Sequence, residues 1–269
     1  MRAMPIPPLI VFSDLDGTLL DHETYSYAAA RPALEALQAN CIPLILASSK
    51  TAAEIAELRA EMGFDDYPAI IENGAGVLEP GDSGRDNDND TVHRQLISIL
   101  DALPLRLREN FSGFSDWEIE EVAERTGLSP AAAAMAASRR YSEPGLWWGD
   151  DKDRAEFIAL LAQSGITARQ GGRYLTLSFG SSKGDRMREI AARFSTGGKR
   201  PRILALGDAP NDIEMLEVAD IGVVVANPHI TPLPELDGEC IGRIVRTMKT
   251  GPEGWNEAVL RIIEELKDS

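Results

Sequence analysis

Leu9-Ile10-Val11-Phe12-Ser13-Asp14-Leu15-Asp16-Gly17-Thr18 sets a continuous apolar run directly before two carboxylates and a glycine. An apolar run without polar alternation suits a strand buried on both faces, the condition of a parallel sheet. Open α/β sheets carry their sites at the carboxyl ends of such strands, where Asp14 and Asp16 fall. A carboxylate there is a competent nucleophile for phosphorus, giving an acyl phosphate that water later cleaves. Asp14 is expected in that role, with Asp16 protonating the leaving oxygen and later activating the water. Asp-Gly is also a common turn, so this stretch alone leaves a plain strand-ending turn open.

A second strand end narrows the choice. Gly207-Asp208-Ala209-Pro210-Asn211-Asp212 follows the apolar run Ile203 to Leu206. Magnesium takes hard oxygen ligands and keeps several waters. The side chains of Asp14 and Asp208 with the Asp16 backbone carbonyl are expected to hold Mg2+, and Asn211 and Asp212 to orient waters or ligands around it. Ser48, ending the run Pro43 to Ala47, can donate its hydroxyl to a phosphoryl oxygen. Lys183 can balance the charge of the carboxylates and the transferring group. Alone, a serine at a strand end such as Ser48 is more often a helix cap, and a lone lysine such as Lys183 more often solvated. Their order along the chain, Asp, Ser, Lys, then Gly-Asp-x-x-Asn-Asp, gives them weight.

Outward from these motifs, Ala69 to Ile71 and Ile221 to Val225 are further apolar runs. A helical segment with Pro32 near its start presents Leu34 and Leu37 to one side. Thr51-Ala52-Ala53-Glu54 reads as a capping box ahead of a buried stripe of Ile55, Leu58 and Met62. Alternating strands and helices predict a doubly wound, Rossmann-like α/β core with a parallel sheet. The middle differs. Pro80 to Asp90 is a polar, Gly/Asp/Asn-rich link, followed by helix starts at Ser115 with Glu118 and at Ser129-Pro130. Gly171-Gly172 makes a hairpin turn between Ile166 to Gln170 and Arg173 to Phe179. We therefore expect a core of residues 1–82 and 181–269 and an inserted α+β cap of 83–180.

The 269 residues carry a formal net charge of −16. That sign argues against nucleic acid or an anionic membrane as partner, and a phosphorylated substrate then requires a cation and a few basic groups in the cleft. Cys41 and Cys240 are expected to be reduced thiols. No stretch reads as a signal peptide or approaches the ~20 apolar residues of a membrane span, so a cytoplasmic location is expected. His22, His93 and His229 lack ligand-type spacing.

In their order these elements resemble the haloacid dehalogenase superfamily of phosphohydrolases. The resemblance implies that Asp14 is the nucleophile and Asp16 the general acid/base. It also implies that Ser48 and Lys183 meet phosphate and that Asp208 meets magnesium. The insert, after the third strand, is similar to the α+β cap of the sugar-phosphatase branch. Ser48-Ser49-Lys50-Thr51, Glu72-Asn73-Gly74-Ala75, Tyr141-Ser142-Glu143-Pro144 and Gly171-Gly172-Arg173 resemble most the mannosyl-3-phosphoglycerate phosphatases. On that likeness Ser48, Ser49 and Lys50 are expected to bind phosphate. Asn73, Gly74, Glu143, Gly171, Gly172 and Arg173 are expected to bind substrate, with Arg173 clamping a carboxylate. Trp147 and Trp148 are read as core of the cap. The expected reaction is hydrolysis of mannosyl-3-phosphoglycerate, or a close glycosyl-phosphoglycerate, to the glycosylglycerate and phosphate. A broad sugar-phosphate phosphatase, a phosphomannomutase-type phosphotransferase and a non-enzymatic sensor on the same fold are the rivals. A sensor has no need for Asp14, Asp16, Lys183 and Asp208 together.

Overall fold

The computed structural model describes residues 9–85, 90–171, 173–195 and 197–267. Two compact units emerge, one from Met1–Ser48, Arg59–Gly81 and Ser182–Ser269, the other from Ser49–Leu58 and Asp82–Ser181. Residues 86–89 of the polar link, and Gly172 of the hairpin, lie outside the described residues.

The chain opens with β1 (Leu9–Ser13), α1 (Arg31–Ala39), β2 (Leu44–Leu46), α2 (Ala52–Glu61), β3 (Ala69–Ile71) and β4 (Gly76–Leu78). Then come α3 (Thr91–Asp101), α4 (Leu105–Arg108), β5 (Phe111–Gly113), α5 (Ile119–Thr126), α6 (Pro130–Ala137), β6 (Ser142–Trp147), α7 (Asp151–Gln163), β7 (Thr167–Gly171) and β8 (Tyr174–Ser178). The last stretch holds α8 (Lys183–Arg193), β9 (Arg202–Gly207), α9 (Ile213–Val218), β10 (Ile221–Ala226), β11 (Ile244–Thr250) and α10 (Gly251–Lys267).

In the first unit the apolar runs pair as a parallel sheet of order β11-β10-β9-β1-β2. All five residues of β1 are buried, as its unalternating sequence requires. One layer of the core joins Ile10 and Phe12 to Ile45, Ala205 and Val224, with Met187 and Ile190 of α8 and Met215 and Leu216 of α9 packed on them. Each fully buried side chain of this kind is worth about 1.5–3 kcal/mol. From β1 the chain proceeds to β2 on one side, and from β9 to β10 and β11 on the other. The neighbours β1 and β9 therefore flank the point where strand order reverses, and both chemical motifs leave their carboxyl ends there.

Local chemistry explains the helices. Pro32 sits in the first turn of α1, and Ala33, Leu34 and Leu37 form its buried face. Ahead of α2 the capping box forms in both directions. Glu54 Oε2 accepts the Thr51 N–H at 2.8 Å, and Thr51 Oγ1 accepts the Glu54 N–H at 3.4 Å. The expected stripe is only partly right: Ile55 and Met62 are buried, Leu58 is half-buried, and Arg59 is the enclosed neighbour. Its guanidinium donates to the carbonyls of Tyr67, Leu78 and Glu79, which makes burial of the charge tolerable.

The second unit has an antiparallel sheet of order β5-β6-β8-β7. Leu96 and Leu100 of α3, Phe157 and Leu161 of α7, and Phe111, Leu175 and Leu177 of the strands fill one cluster. Ser129 caps α6 by accepting the Ala132 N–H, with Pro130 in the first turn. The helix expected from Ser115 begins instead at Ile119. Ser115 does not cap it, because its N–H and hydroxyl both donate to the buried Glu143 Oε1. Trp147, half-buried, packs against that apolar cluster with its ring tilted on Phe157, centroids 4.8 Å apart. Trp148, also expected in the core, lies one residue past the end of β6 and is 65% exposed.

Candidate active site

The site begins where β1 and β9 end. Asp14 donates its backbone N–H to the Leu206 carbonyl, so ladder pairing continues one residue past β1 and fixes the start of the loop. Below it, Ser13 Oγ donates to the Asp14 carbonyl at 2.7 Å and accepts the Trp255 indole N–H at 2.9 Å. Both Ser13 and Trp255 are fully buried. A helix near the end of the sequence thus braces the backbone of the first motif.

Asp14, Asp208 and Asp212 are buried, and each offers a carboxylate oxygen within 4.8 Å of the others. Lys183 Nζ donates to Asp14 Oδ1 at 2.6 Å and to Asp212 Oδ1 at 2.7 Å, and only 1% of the lysine is exposed. A cation at the first residue of a helix opposes the helix dipole, so the carboxylates, rather than helix stability, account for its place. The reading of Lys183 as a solvated side chain is excluded by this burial.

Charge governs the titration of these groups. Burial drives Asp14 well above the ordinary carboxylate range, Lys183 opposes that, and the charges of Asp212, Asp208 and Asp16 add to the rise. Lys183 itself is pushed up: burial works against its charge, but the carboxylates of Asp14 and Asp212 outweigh it. Asp208 is also raised, chiefly by burial, although the Asn227 amide and the Thr18 hydroxyl stabilise its charged form. One ammonium against three carboxylates leaves an excess of negative charge in a buried place, and the donors are hard oxygens. That set fits a divalent cation of the magnesium type.

Asp212, expected to act only around the metal ligands, is a member of the cluster. Its two oxygens are committed, Oδ1 to Lys183 and Oδ2 to the N–H groups of Asp208 and Ala209. Gly207 lacks a Cβ where one would meet the Asp212 side chain at 2.5 Å. Asp16 lies near enough to raise Asp14, but its carboxylate is not part of the cluster. Asn211 donates to Asn73 Oδ1 at 3.0 Å, joining the turn after β9 to the turn after β3. Asn73 also donates its N–H to the Ser48 carbonyl, and Ser48 donates its own to Ile70, so the expected phosphate serine is buried and its backbone is tied down. Gly74, at φ +93°, presses on the start of α8, where an added Cβ would lie 2.2 Å from the Ser182 carbonyl carbon. In this structure Gly74 braces the segment that carries Lys183, and Asn73 ties the turn after β3 to Ser48 and to the turn after β9.

The remaining expected residues lie in the second unit. Ser49 is exposed and its carbonyl accepts from Arg139, while Lys50 is half-buried. Glu143 is fully buried, with Oε1 taken by Ser115 and Oε2 paired with His93 Nε2 at 2.7 Å. Gly171 ends β7, and the exposed Arg173 donates to the Arg125 carbonyl and lies over the Tyr174 ring. Thr18, Asn227 and the Trp255–Ser13 pair had no part in the sequence reading. The first two had a usable signal: Thr18 closes the first motif, and Asn227 follows an apolar strand just as Asp14 and Asp208 do.

A family model of haloacid dehalogenase-like hydrolases matches residues 11–104 and 150–231, more than half the chain and both strand-end motifs. The chain belongs to this family. As a haloacid dehalogenase-like hydrolase it is an enzyme of the phosphatase type. The fold agrees. A sucrose-phosphatase from Synechocystis sp. PCC6803, solved with sucrose and phosphate, superposes with a TM-score of 0.59 at 16% identity over 97% of this chain and 98% of that one. A haloalkanoate-superfamily phosphatase from Bacteroides thetaiotaomicron gives 0.59 at 20% identity, covering 98% of both chains. A haloacid dehalogenase-like hydrolase from B. subtilis gives 0.58 at 19% identity, covering 96% and 99%. Among the described residues no helix is long and apolar enough to cross a membrane. Cys41 and Cys240 are both exposed free thiols.

Proposed function

We propose that this haloacid dehalogenase-like hydrolase is a magnesium-dependent phosphatase acting through an aspartyl phosphate on Asp14, with a glycosyl-phosphoglycerate such as mannosyl-3-phosphoglycerate as substrate. The observation that carries the chemistry is the Lys183 ammonium held between Asp14 and Asp212 in a buried three-carboxylate cluster. Burial and like charges push Asp14 toward its neutral form, which cannot attack, and Lys183 is the group that opposes them. The lysine also fixes the Asp14 carboxylate through its Oδ1. In the first step the Asp14 carboxylate forms a bond to phosphorus as the bond to the glycerate 3-oxygen breaks, and Asp16 gives that leaving oxygen a proton. In the second, water attacks the phosphoryl group, Asp16 takes its proton, and Asp14 and inorganic phosphate are released. Magnesium, held by Asp14, Asp208 and the Asp16 carbonyl, would supply positive charge beside the transferring phosphoryl group. The insert expected at 83–180, which makes up most of the second unit, would serve as the cap that selects substrate.

The substrate assignment rests on the likeness of the cap-side motifs, with Arg173 as the carboxylate anchor. One observation favours a broader sugar-phosphate phosphatase: the oxygens of Glu143 are already engaged by Ser115 and His93, so it has less to offer a specific ligand. A phosphate-release screen separates the readings. With magnesium, glycosyl-phosphoglycerates should exceed plain hexose phosphates in kcat/KM by at least about tenfold, and Asp14→Asn should abolish release from every substrate. A preference for hexose phosphates would move the assignment to the broader enzyme. Turnover by Asp14→Asn would remove the aspartyl-phosphate mechanism itself.

A further inference from the structure

Among the described residues no lysine or arginine hydrogen-bonds Asp208 of the buried cluster; its two oxygens are met by neutral donors. Thr18 Oγ1 donates to Oδ1 at 2.8 Å, and Asn227 Nδ2 donates to Oδ2 at 2.7 Å. Asn227 stands at the end of β10, a third strand end beside those of β1 and β9. Its amide cannot turn over freely, because Asn227 Oδ1 accepts the His229 N–H at 3.0 Å, which leaves the NH2 group to face Asp208. The loop after β1 is shaped around this contact. Gly17 adopts φ +82°, and a Cβ there would lie 2.2 Å from Asn227 Nδ2 and 3.0 Å from Asp208 Oδ2. No side chain but glycine's fits against the amide.

From this geometry we infer that Asn227 is a positioning residue for the cation site, an amide that orients Asp208 toward a divalent metal without neutralising it. The inference deepens the reading of Asp208 as a magnesium ligand and rests on it. Two kinds of support divide the cluster. Lys183 donates directly to Asp14 and Asp212, whereas the hydrogen bonds that orient Asp208 come from the neutral Thr18 hydroxyl and Asn227 amide. Partners of this kind, which orient a ligand, change metal affinity by about 10–100-fold when removed.

The test uses the full chain and Mn2+ as the probe, followed by isothermal titration and by the paramagnetic signal of free Mn2+, with thermal melts in chelator alongside. Asn227→Leu keeps the size and removes the donor; Asn227→Ala serves if the leucine variant does not fold. Either folded variant should bind Mn2+ at least about tenfold more weakly, with its chelator melt close to that of the wild type. Wild-type affinity in a folded variant would overturn the inference. So would a melt that falls while affinity holds, since the amide would then brace the fold alone. Asp208→Asn is the control for the underlying reading: if it too binds Mn2+ normally, the assignment of Asp208 as ligand fails, and the role of Asn227 fails with it.

Discussion

Replacing Lys183 with methionine keeps the length of the side chain and removes its charge, and its consequences can be worked from the site. The ammonium lies 2.6 Å from Asp14 Oδ1 and 2.7 Å from Asp212 Oδ1. At an effective dielectric constant of ~20 each contact is worth about 6 kcal/mol of attraction. The desolvation of the lysine and of both carboxylates offsets most of this, and removing one partner of a buried pair typically costs about 3–5 kcal/mol. The cluster has a way to limit the loss: without Lys183, Asp14 can take a proton. From an ordinary value near ~3.9 that costs about 4 kcal/mol at pH 7, and less for Asp14, which burial and its neighbours have already raised. We therefore expect Lys183→Met to lose about 2–4 kcal/mol at pH 7 in chelator.

The pH dependence has a definite sign. A carboxyl whose folded-state pKa is raised costs stability while it is ionised, and that cost disappears as pH falls through the raised value toward the unfolded one. The variant raises Asp14 further, so its deficit is largest near neutrality and should shrink toward pH 5, where protonating an ordinary carboxyl costs only about 1.5 kcal/mol. Urea titrations of both proteins in chelator at pH 7 and pH 5 measure the gap directly. Millimolar magnesium should narrow it at pH 7, by supplying positive charge to the same carboxylates, without restoring turnover. A gap below about 1 kcal/mol at pH 7, or one that widens on acidification, would refute the account of Lys183 as the counter-charge of the cluster.

The parallel core was legible because its strands are buried on both faces, which writes the unalternating runs at Leu9, Ile203 and Ile221 into the sequence. Asp14, Asp208 and Lys183 were legible for a related reason: a strand end or a helix start fixes where a short motif must point. What escaped were contacts between segments far apart in the chain. Nothing near Trp255 hints that its indole reaches Ser13, 242 residues away. Nothing in Ser115-Asp116-Trp117-Glu118 distinguishes a helix cap from a serine claimed by Glu143. Arg59 is of a residue type ordinarily solvated, and the carbonyls of Tyr67, Leu78 and Glu79, which lie beyond its helix, help to make its interior place possible. Local pattern records periodicity and turns; it does not record which polar partner will be waiting across the fold.

Two further outcomes test the site. Asp16→Asn should reduce turnover of a sugar phosphate by at least about 100-fold, yet phosphorylation of Asp14 by an activated aryl phosphate should suffer far less, because that leaving group needs no proton. Equal losses in both single-turnover assays would remove Asp16 from proton transfer. The Trp255–Ser13 brace makes a sharper claim, since both residues are fully buried and Ser13 Oγ relays the contact to the Asp14 carbonyl. Trp255→Phe leaves a buried lone pair of Ser13 without its donor, at about 1–3 kcal/mol, with a further loss for the smaller ring. Ser13→Ala removes the relay from the other side. If the indole acts on the first motif through Ser13, the double variant should be less destabilised than the sum of the singles by roughly 1 kcal/mol, and kcat should show the same coupling. Strict additivity in stability and in kcat would make Trp255 a packing residue only, and the brace on the nucleophile's backbone would have to be abandoned.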